Sequence, residues 1–144
     1  MRVADILKAK GSTVLTVRPN ETIQAVAKRL KQENVGAMIV SNDGVSLEGV
    51  ISERDVALSI ALFNAEFHAL PASALMQSTF ATCSPDASVV DIAKLMTEKH
   101  LRHLPVKQNG RLVGVISIGD VLKHRLAEVQ LESRVLRDIA IARQ

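Results

Sequence analysis

Two four-residue stretches, Ser52-Glu53-Arg54-Asp55 and Ser117-Ile118-Gly119-Asp120, put a hydroxyl and a carboxylate one helical turn apart. Each follows an apolar run, Gly49-Val50-Ile51 or Gly114-Val115-Ile116, that reads as a strand. At a strand-to-helix junction the first N–H groups lack helical partners and the dipole is positive, so an anion is attracted there. A carboxylate one turn further on can accept two hydroxyls at once. The same spacing also caps a helix on its own account: serine accepts from a backbone N–H, and an acid stands in the first turn. Local chemistry leaves both readings open.

Other chemistries find little support. Cys83 is the single cysteine. It therefore forms no internal disulfide and no cysteine-based zinc site, and it suits a reducing compartment. Its place in an extended segment reads as a small core residue rather than a nucleophile. His68, His100 and His124 are scattered, with no i, i+4 pair, and His100 and His103 fall where a helix gives way to a strand, so no metal site is expected. There is no Gly-x-x-x-x-Gly-Lys-Ser/Thr loop and no Gly-x-Ser-x-Gly elbow. The 144 residues carry 18 basic and 15 acidic side chains, a net charge of +3 spread along the chain, which reads as a solvated surface. Trp and Tyr are absent and Phe occurs three times, so the core is aliphatic and few rings are available to stack on nucleic-acid bases. Met1 to Gly11 lacks the apolar stretch of a secretory signal, and no run approaches the roughly 18 apolar residues that span a bilayer. The expectation is a cytoplasmic protein with no membrane contact.

The elements that must position the two Ser-x-x-Asp motifs occur twice. Thr16-Val17-Arg18-Pro19 resembles Thr82-Cys83-Ser84-Pro85, 66 residues on from Pro19 to Pro85. Ala37-Met38-Ile39-Val40 matches His103-Leu104-Pro105-Val106 at the same spacing, and Gly49-Val50-Ile51-Ser52 recurs as Gly114-Val115-Ile116-Ser117 at a spacing of 65. The one-residue change falls between Gly44 and Leu47, where a hairpin loop absorbs it. Val3 to Leu7 echoes Ala72 to Met76. In each copy an extended segment ends near Pro19 or Pro85. A helix follows whose apolar face is Ile23, Val26, Ala27 and Leu30, or Val89, Ile92, Ala93 and Met96. Thr22 and Ser88 are its start signals. Asn42-Asp43-Gly44 and Asn109-Gly110 are turn signals between two strands, and a second helix starts after Ser52 or Ser117. The unit is β-α-β-β-α with a short helical lead-in. One unit alone is too small to bury both faces of its sheet. The expected fold is therefore α/β, two pseudo-symmetric repeats packed sheet to sheet into one domain. Residues 1–62 form the first repeat, 63–124 the second and 125–144 a helical extension. The joining stretch, Asn64 to Pro71, has no flexible-linker composition.

This layout resembles the CBS-domain family over about residues 1–124. It is carried by Thr-x-x-Pro, the helix, the glycine hairpin, and the paired motifs Gly49-Val50-Ile51-Ser52-Glu53-Arg54-Asp55-Val56 and Gly114-Val115-Ile116-Ser117-Ile118-Gly119-Asp120-Val121. The resemblance implies a regulatory module, not an enzyme, that binds an adenine nucleotide in clefts between the repeats. AMP leads, with ATP, ADP or NAD as alternatives, and no catalytic cofactor is implied. It further implies that each cleft draws on both repeats. Asp120 would hold the ribose diol and Ser117 the phosphate, with Thr16, Arg18, Ile23 and the Val35-Gly36-Ala37 backbone opposite, and Arg102 and His103 beside them. The other cleft would use Ser52, Arg54 and Asp55, with Ser84, Val89 and Leu101 to His103 opposite. On this reading Arg102 and His103 give the Asp120 cleft the greater charge and the tighter grip on AMP.

From Gly119 onward there is neither Gly beyond that residue nor Pro. Leu122, Leu126, Val129, Leu136 and Ala140 form an apolar stripe with charged residues around it. The second repeat is complete before the stripe ends, so the stripe is expected to pair with a second chain rather than fold back. Interleaved acids argue against nucleic acid or membrane as its partner. The expectation is a homodimer, through the CBS faces and this helix, that reports energy or redox charge to an unidentified regulated protein. Its rivals are a ligand-free dimerisation scaffold and a nucleic-acid-binding module.

Overall fold

The computed structural model describes residues 1–11, 13–62 and 66–143. Phe63, Asn64 and Ala65, at the expected boundary between repeats, lie outside them, as do Ser12 and Gln144. In chain order the elements are α1 (Val3–Lys10), β1 (Thr16–Val17), α2 (Ile23–Glu33), β2 (Ala37–Val40), β3 (Gly49–Ser52), α3 (Glu53–Leu62), a 3₁₀ turn (Phe67–Ala69), α4 (Ala72–Leu75), α5 (Val89–Glu98), β4 (His103–Gln108), β5 (Arg111–Ser117) and α6 (Ile118–Ala142). The helix starts expected from sequence carry their caps: the Thr22 hydroxyl accepts from Ala25 N and the Ser88 hydroxyl from Asp91 N. At the first hairpin Asp43 accepts from the Val45 and Ser46 N–H groups, and these bonds, foremost that of Ser46, hold its carboxyl well below the usual range. Gly44 and Gly110 take the positive φ that the two hairpins need.

β1 runs parallel to β2, which pairs antiparallel with β3, while β4 and β5 form a second antiparallel pair. Cys83 bridges Val106 in parallel, as the counterpart of β1. Burial pushes its thiol up to about 11, which suits a core position and not a nucleophile. Helices cover one face of each sheet. Met38, Val40 and Ile51 join Val17, Ile23, Val26 and Leu30 in one core, and Leu104, Val106 and Ile116 join Val89, Ile92 and Met96 in another. The strands are buried on their second faces as well. Ile39 and Pro105, which point away from those cores by strand alternation, are both buried, as sheet-to-sheet packing of the repeats requires.

The two lead-in helices change places. Val3, Ile6 and Leu7 of α1 belong to the core of the second repeat, and Ala72 of α4 belongs to that of the first. Backbone bonds tie each lead-in down: Val3 N to Ala87 O and Ala4 N to Pro85 O at one end, Ala72 N to Glu21 O and Ser73 N to Pro19 O at the other. Two glycines let these helices approach. A Cβ on Gly114 would stand 2.5 Å from Leu7 Cδ2, and one on Gly49 would stand 2.6 Å from Met76 Sδ.

α6 is a single helix of 25 residues. Its first turns pack on the domain through Val121, and every described residue from Val129 on is exposed. The stripe is not folded back, for Leu122, Leu126, Val129 and Leu136 are all exposed.

Candidate functional site

Both Ser-x-x-Asp motifs stand at helix starts, and both cap their own helices. Asp120 N donates to the Ser117 hydroxyl at 3.1 Å and Ser117 N to Asp120 Oδ2 at 2.8 Å. Asp55 N donates to the Ser52 hydroxyl at 3.2 Å, while Asp55 Oδ2 accepts from Ser52 N at 2.8 Å. The capping role is therefore real. It does not exhaust the motifs, because each also opens onto a cleft.

The Asp120 cleft, of about 330 Å³, is lined by Ser117, Asp120 and Val115 on one side. Asn34, Val35, Gly36 and Ala37 at the foot of β2 face them, with His103, Thr13, Val14, Leu15, Gly11 and Lys10 closing the wall. The Asp55 cleft, of about 370 Å³, is lined by Gly36, Val50, Ser52, Glu53, Arg54, Asp55 and Gln77, with the segment His100 to His103 from the second repeat completing it. Both volumes fall in the range of small-ligand clefts. Each cleft joins a carboxylate and a helix N-terminus from one repeat to small or basic residues from the other.

Several residues stand where the family resemblance did not put them. Arg102, expected beside both clefts, lines the Asp55 cleft and not the Asp120 cleft. It stands in a bend just before β4, and its carbonyl is held by Ile118 N at 2.9 Å. Five others line neither cleft. Ile23 opens α2 on its buried face and is 1% exposed in the core. Thr16 sits in β1 with its carbonyl bound by Arg29 Nη1. Arg18 is exposed, its N–H donating to Glu21. The exposed Ser84 turns its hydroxyl to Asp86 N. Val89, likewise, is fully buried as the first residue of α5. The Asp55 cleft thus holds two permanent cations, Arg54 and Arg102, beside Glu53 and Asp55, while the Asp120 cleft pairs Lys10 with Asp120.

Two residues that sequence reasoning missed hold the two carboxylates. Lys10 Nζ, at the end of α1, lies 2.7 Å from Asp120 Oδ2, and Gln77 Nε2 lies 3.1 Å from Asp55 Oδ1. Burial alone raises the Asp120 carboxyl. The Lys10 hydrogen bond, the Ser117 N–H, the Lys10 charge and the Ser117 hydroxyl outweigh it and leave the group below its ordinary value.

His103 lines both clefts, and a Cβ on Gly36 would stand 3.0 Å from its Nε2. Burial lowers its basicity first. Glu53 and Asp120 oppose that, Lys10 and Arg102 reinforce it, and the net direction is below the ordinary 6.5. The unfolded chain therefore takes up a proton near pH 6.5 that the folded chain refuses until lower pH. Stability from this group is whole above that pH and is lost as pH falls from it to the lower folded value. Unfolding midpoints at pH 7.5 and 5.5 are expected to differ more for the wild type than for His103→Gln. An equal drop in both would show that the buried imidazole carries no such penalty.

Among the described residues no group of three or more His, Cys, Asp or Glu is placed to hold a metal, and no helix is long and apolar enough to cross a membrane. Residues 3–62 and 72–127 each match the family described as CBS domain. A CBS domain-containing protein of Bacillus subtilis, YhcV, is 35% identical over 114 residues, which are 79% of this chain and 80% of that protein. The crystal structure of the CBS-domain protein ATU1752 from Agrobacterium tumefaciens superposes with a TM-score of 0.83 at 34% identity, covering 87% of this chain and 99% of that one. The CBS domain pair of protein MJ0100 was solved in complex with 5′-methylthioadenosine and S-adenosyl-L-methionine. It shares the fold at a TM-score of 0.77 and 22% identity, over 89% of this chain and 98% of that one. Some relatives are longer, and the chain spans 63% of the length of two of them. Tandem matches over most of the sequence, on a doubled fold with a Ser-x-x-Asp helix start in each half, establish that the chain belongs to the CBS-domain family, as a CBS pair.

Proposed function

We propose that this CBS pair is a regulatory, non-catalytic module that binds an adenosine-containing ligand between its repeats and passes the occupancy of its clefts to a partner protein. One observation carries the reading. Each cleft sets a carboxylate suited to a ribose diol beside a helix N-terminus suited to phosphate, with a cation at hand: Lys10 in one, Arg54 and Arg102 in the other. The glycine at position 36 borders both clefts, and the room left by its missing Cβ is taken by the His103 ring, which thereby faces both. The ligands of the MJ0100 pair, both built on adenosine, support the same class.

AMP is the first candidate, then ATP, ADP and NAD, and the role is energy or redox sensing in the cytoplasm. The acting unit is a homodimer, supported by the exposed Leu58 and Leu62 of α3 and by the uncovered stripe of α6. Those same exposed faces favour a second reading, a scaffold whose clefts stay empty. Calorimetric titration of protein refolded from denaturant, to strip carried-over ligand, separates the two. Saturable heat with AMP, ATP, NAD or S-adenosylmethionine is expected. Absence of heat and of thermal shift with all four sinks the sensor and leaves the scaffold.

A further inference from the structure

The same two acceptors recur in both halves of the molecule, and they are met by different chemistry. In the first half the Val50 carbonyl accepts from the Gln77 backbone N–H at 2.8 Å, and Asp55 Oδ1 accepts from the Gln77 side-chain amide at 3.1 Å. In the second half the matching acceptors are the Val115 carbonyl and Asp120. A single ammonium serves both, Lys10 Nζ at 2.9 and 2.7 Å. Gln77 is fixed by a two-bond backbone bridge to Val50, so its amide is part of the sheet edge. Lys10 reaches in with its side chain only, which is 39% exposed. A four-carbon stem can swing without moving α1.

We propose that Lys10 is the charge-selecting residue of the Asp120 cleft: the counter-ion of Asp120 when the cleft is empty, and the counter-ion of the ligand's phosphate when it is filled. The inference rests on the reading that this cleft takes an adenosine-containing ligand. Asp120 Oδ2 already accepts from Ser117 N and Lys10 Nζ, so a ribose diol that sets one hydroxyl on each carboxylate oxygen competes with the ammonium for Oδ2 and displaces it there. A displaced cation needs a new anion. Among the described residues lining this cleft, Lys10 is the one Lys or Arg, and Asp120 is the one acid. A phosphorylated ligand brings its own anion and re-pairs the ammonium. A neutral nucleoside breaks the ion pair and returns nothing. The Asp55 cleft makes no such distinction through Gln77, because a neutral amide is displaced without leaving a charge behind.

The test compares AMP with adenosine on the ligand-stripped full chain, in an Asp55→Ala background so that only the Asp120 cleft is read. AMP is expected to bind at least about tenfold more tightly than adenosine. Lys10→Met is expected to weaken AMP about tenfold and to strengthen adenosine a few-fold, because the nucleoside no longer competes with an ammonium. Lys10→Arg keeps the preference for AMP. The opposite signs for the two ligands are the signature, since a merely structural role would move both the same way. Parallel losses, or no change in either, overturn the proposal while leaving the cleft a nucleotide site. If neither ligand binds with Lys10 intact, the nucleotide reading of this cleft falls, and the role of Lys10 falls with it.

Discussion

Ile6→Ala is expected to lower the unfolding free energy by about 2–5 kcal/mol, the usual loss for truncating a fully buried aliphatic side chain. The loss is expected to reach the whole molecule in one step. Ile6 is 0% exposed, and it lies not in the core of the repeat that follows it in sequence but among Val89, Ile92, Met96, Leu104 and Ile116. In return, the first repeat's core is closed by Ala72, with Leu75 and Met76 packed against it. Neither repeat can complete its packing from its own contiguous segment, so damage to one core loosens the element that covers the other. Denaturant unfolding followed by circular dichroism and by amide exchange in both sheets should give coincident transitions for both chains, with the midpoint shifted and the slope kept. Two separate transitions, with Ile6→Ala moving only one, would show that the exchange of lead-ins does not couple the halves.

Asp120→Ala and Asp55→Ala are each expected to abolish one binding event, weakening it about a hundredfold, and the double variant is expected to bind nothing. A carboxylate that accepts both ribose hydroxyls makes two charge-assisted hydrogen bonds of about 1.5–3 kcal/mol each, more than enough for that factor. A smaller structural loss accompanies it. Each aspartate also accepts from the N–H of its capping serine, so helix starts worth about 0.5–2 kcal/mol are weakened. Titration and thermal unfolding on the same samples separate the two effects. Affinity preserved in both single variants, with stability reduced, would mean that the motifs cap helices and nothing more.

The fold was legible because the repeat was. Matching Gly-Val-Ile-Ser stretches fixed the strand-to-helix junctions, and Thr22 and Ser88 marked helix starts that the structure caps as their chemistry requires. The clefts were legible in part, at Ser52, Asp55, Ser117, Asp120 and the 35–37 backbone, since these lie on the repeated elements themselves. Lys10 and Gln77 were not. Each belongs to a lead-in, and helical periodicity tells which face of a lead-in is buried but not against which repeat. One signal did exist: the glycines at 49 and 114, one opening β3 and the other midway along β5, call for a large side chain from elsewhere to cover them. Ile23 and Val89 lie outside both clefts for a plainer reason. Both were placed by family pattern, while each opens a helix on its buried face.

α6 begins at the capped serine beside Asp120 and runs unbroken for 25 residues, about 37 Å at 1.5 Å per residue. With no Pro or Gly after its first turn to absorb bending, it is a stiff rod, held to the domain as far as Glu128, which pairs with the N-terminus. A tilt of about five degrees there sweeps the tip of the free arm, about 21 Å long, through roughly 2 Å. If the proposed ligand tilts the start of α6, the displacement is carried to a surface well outside its own reach, and the apolar stripe toward the tip is where it would be felt.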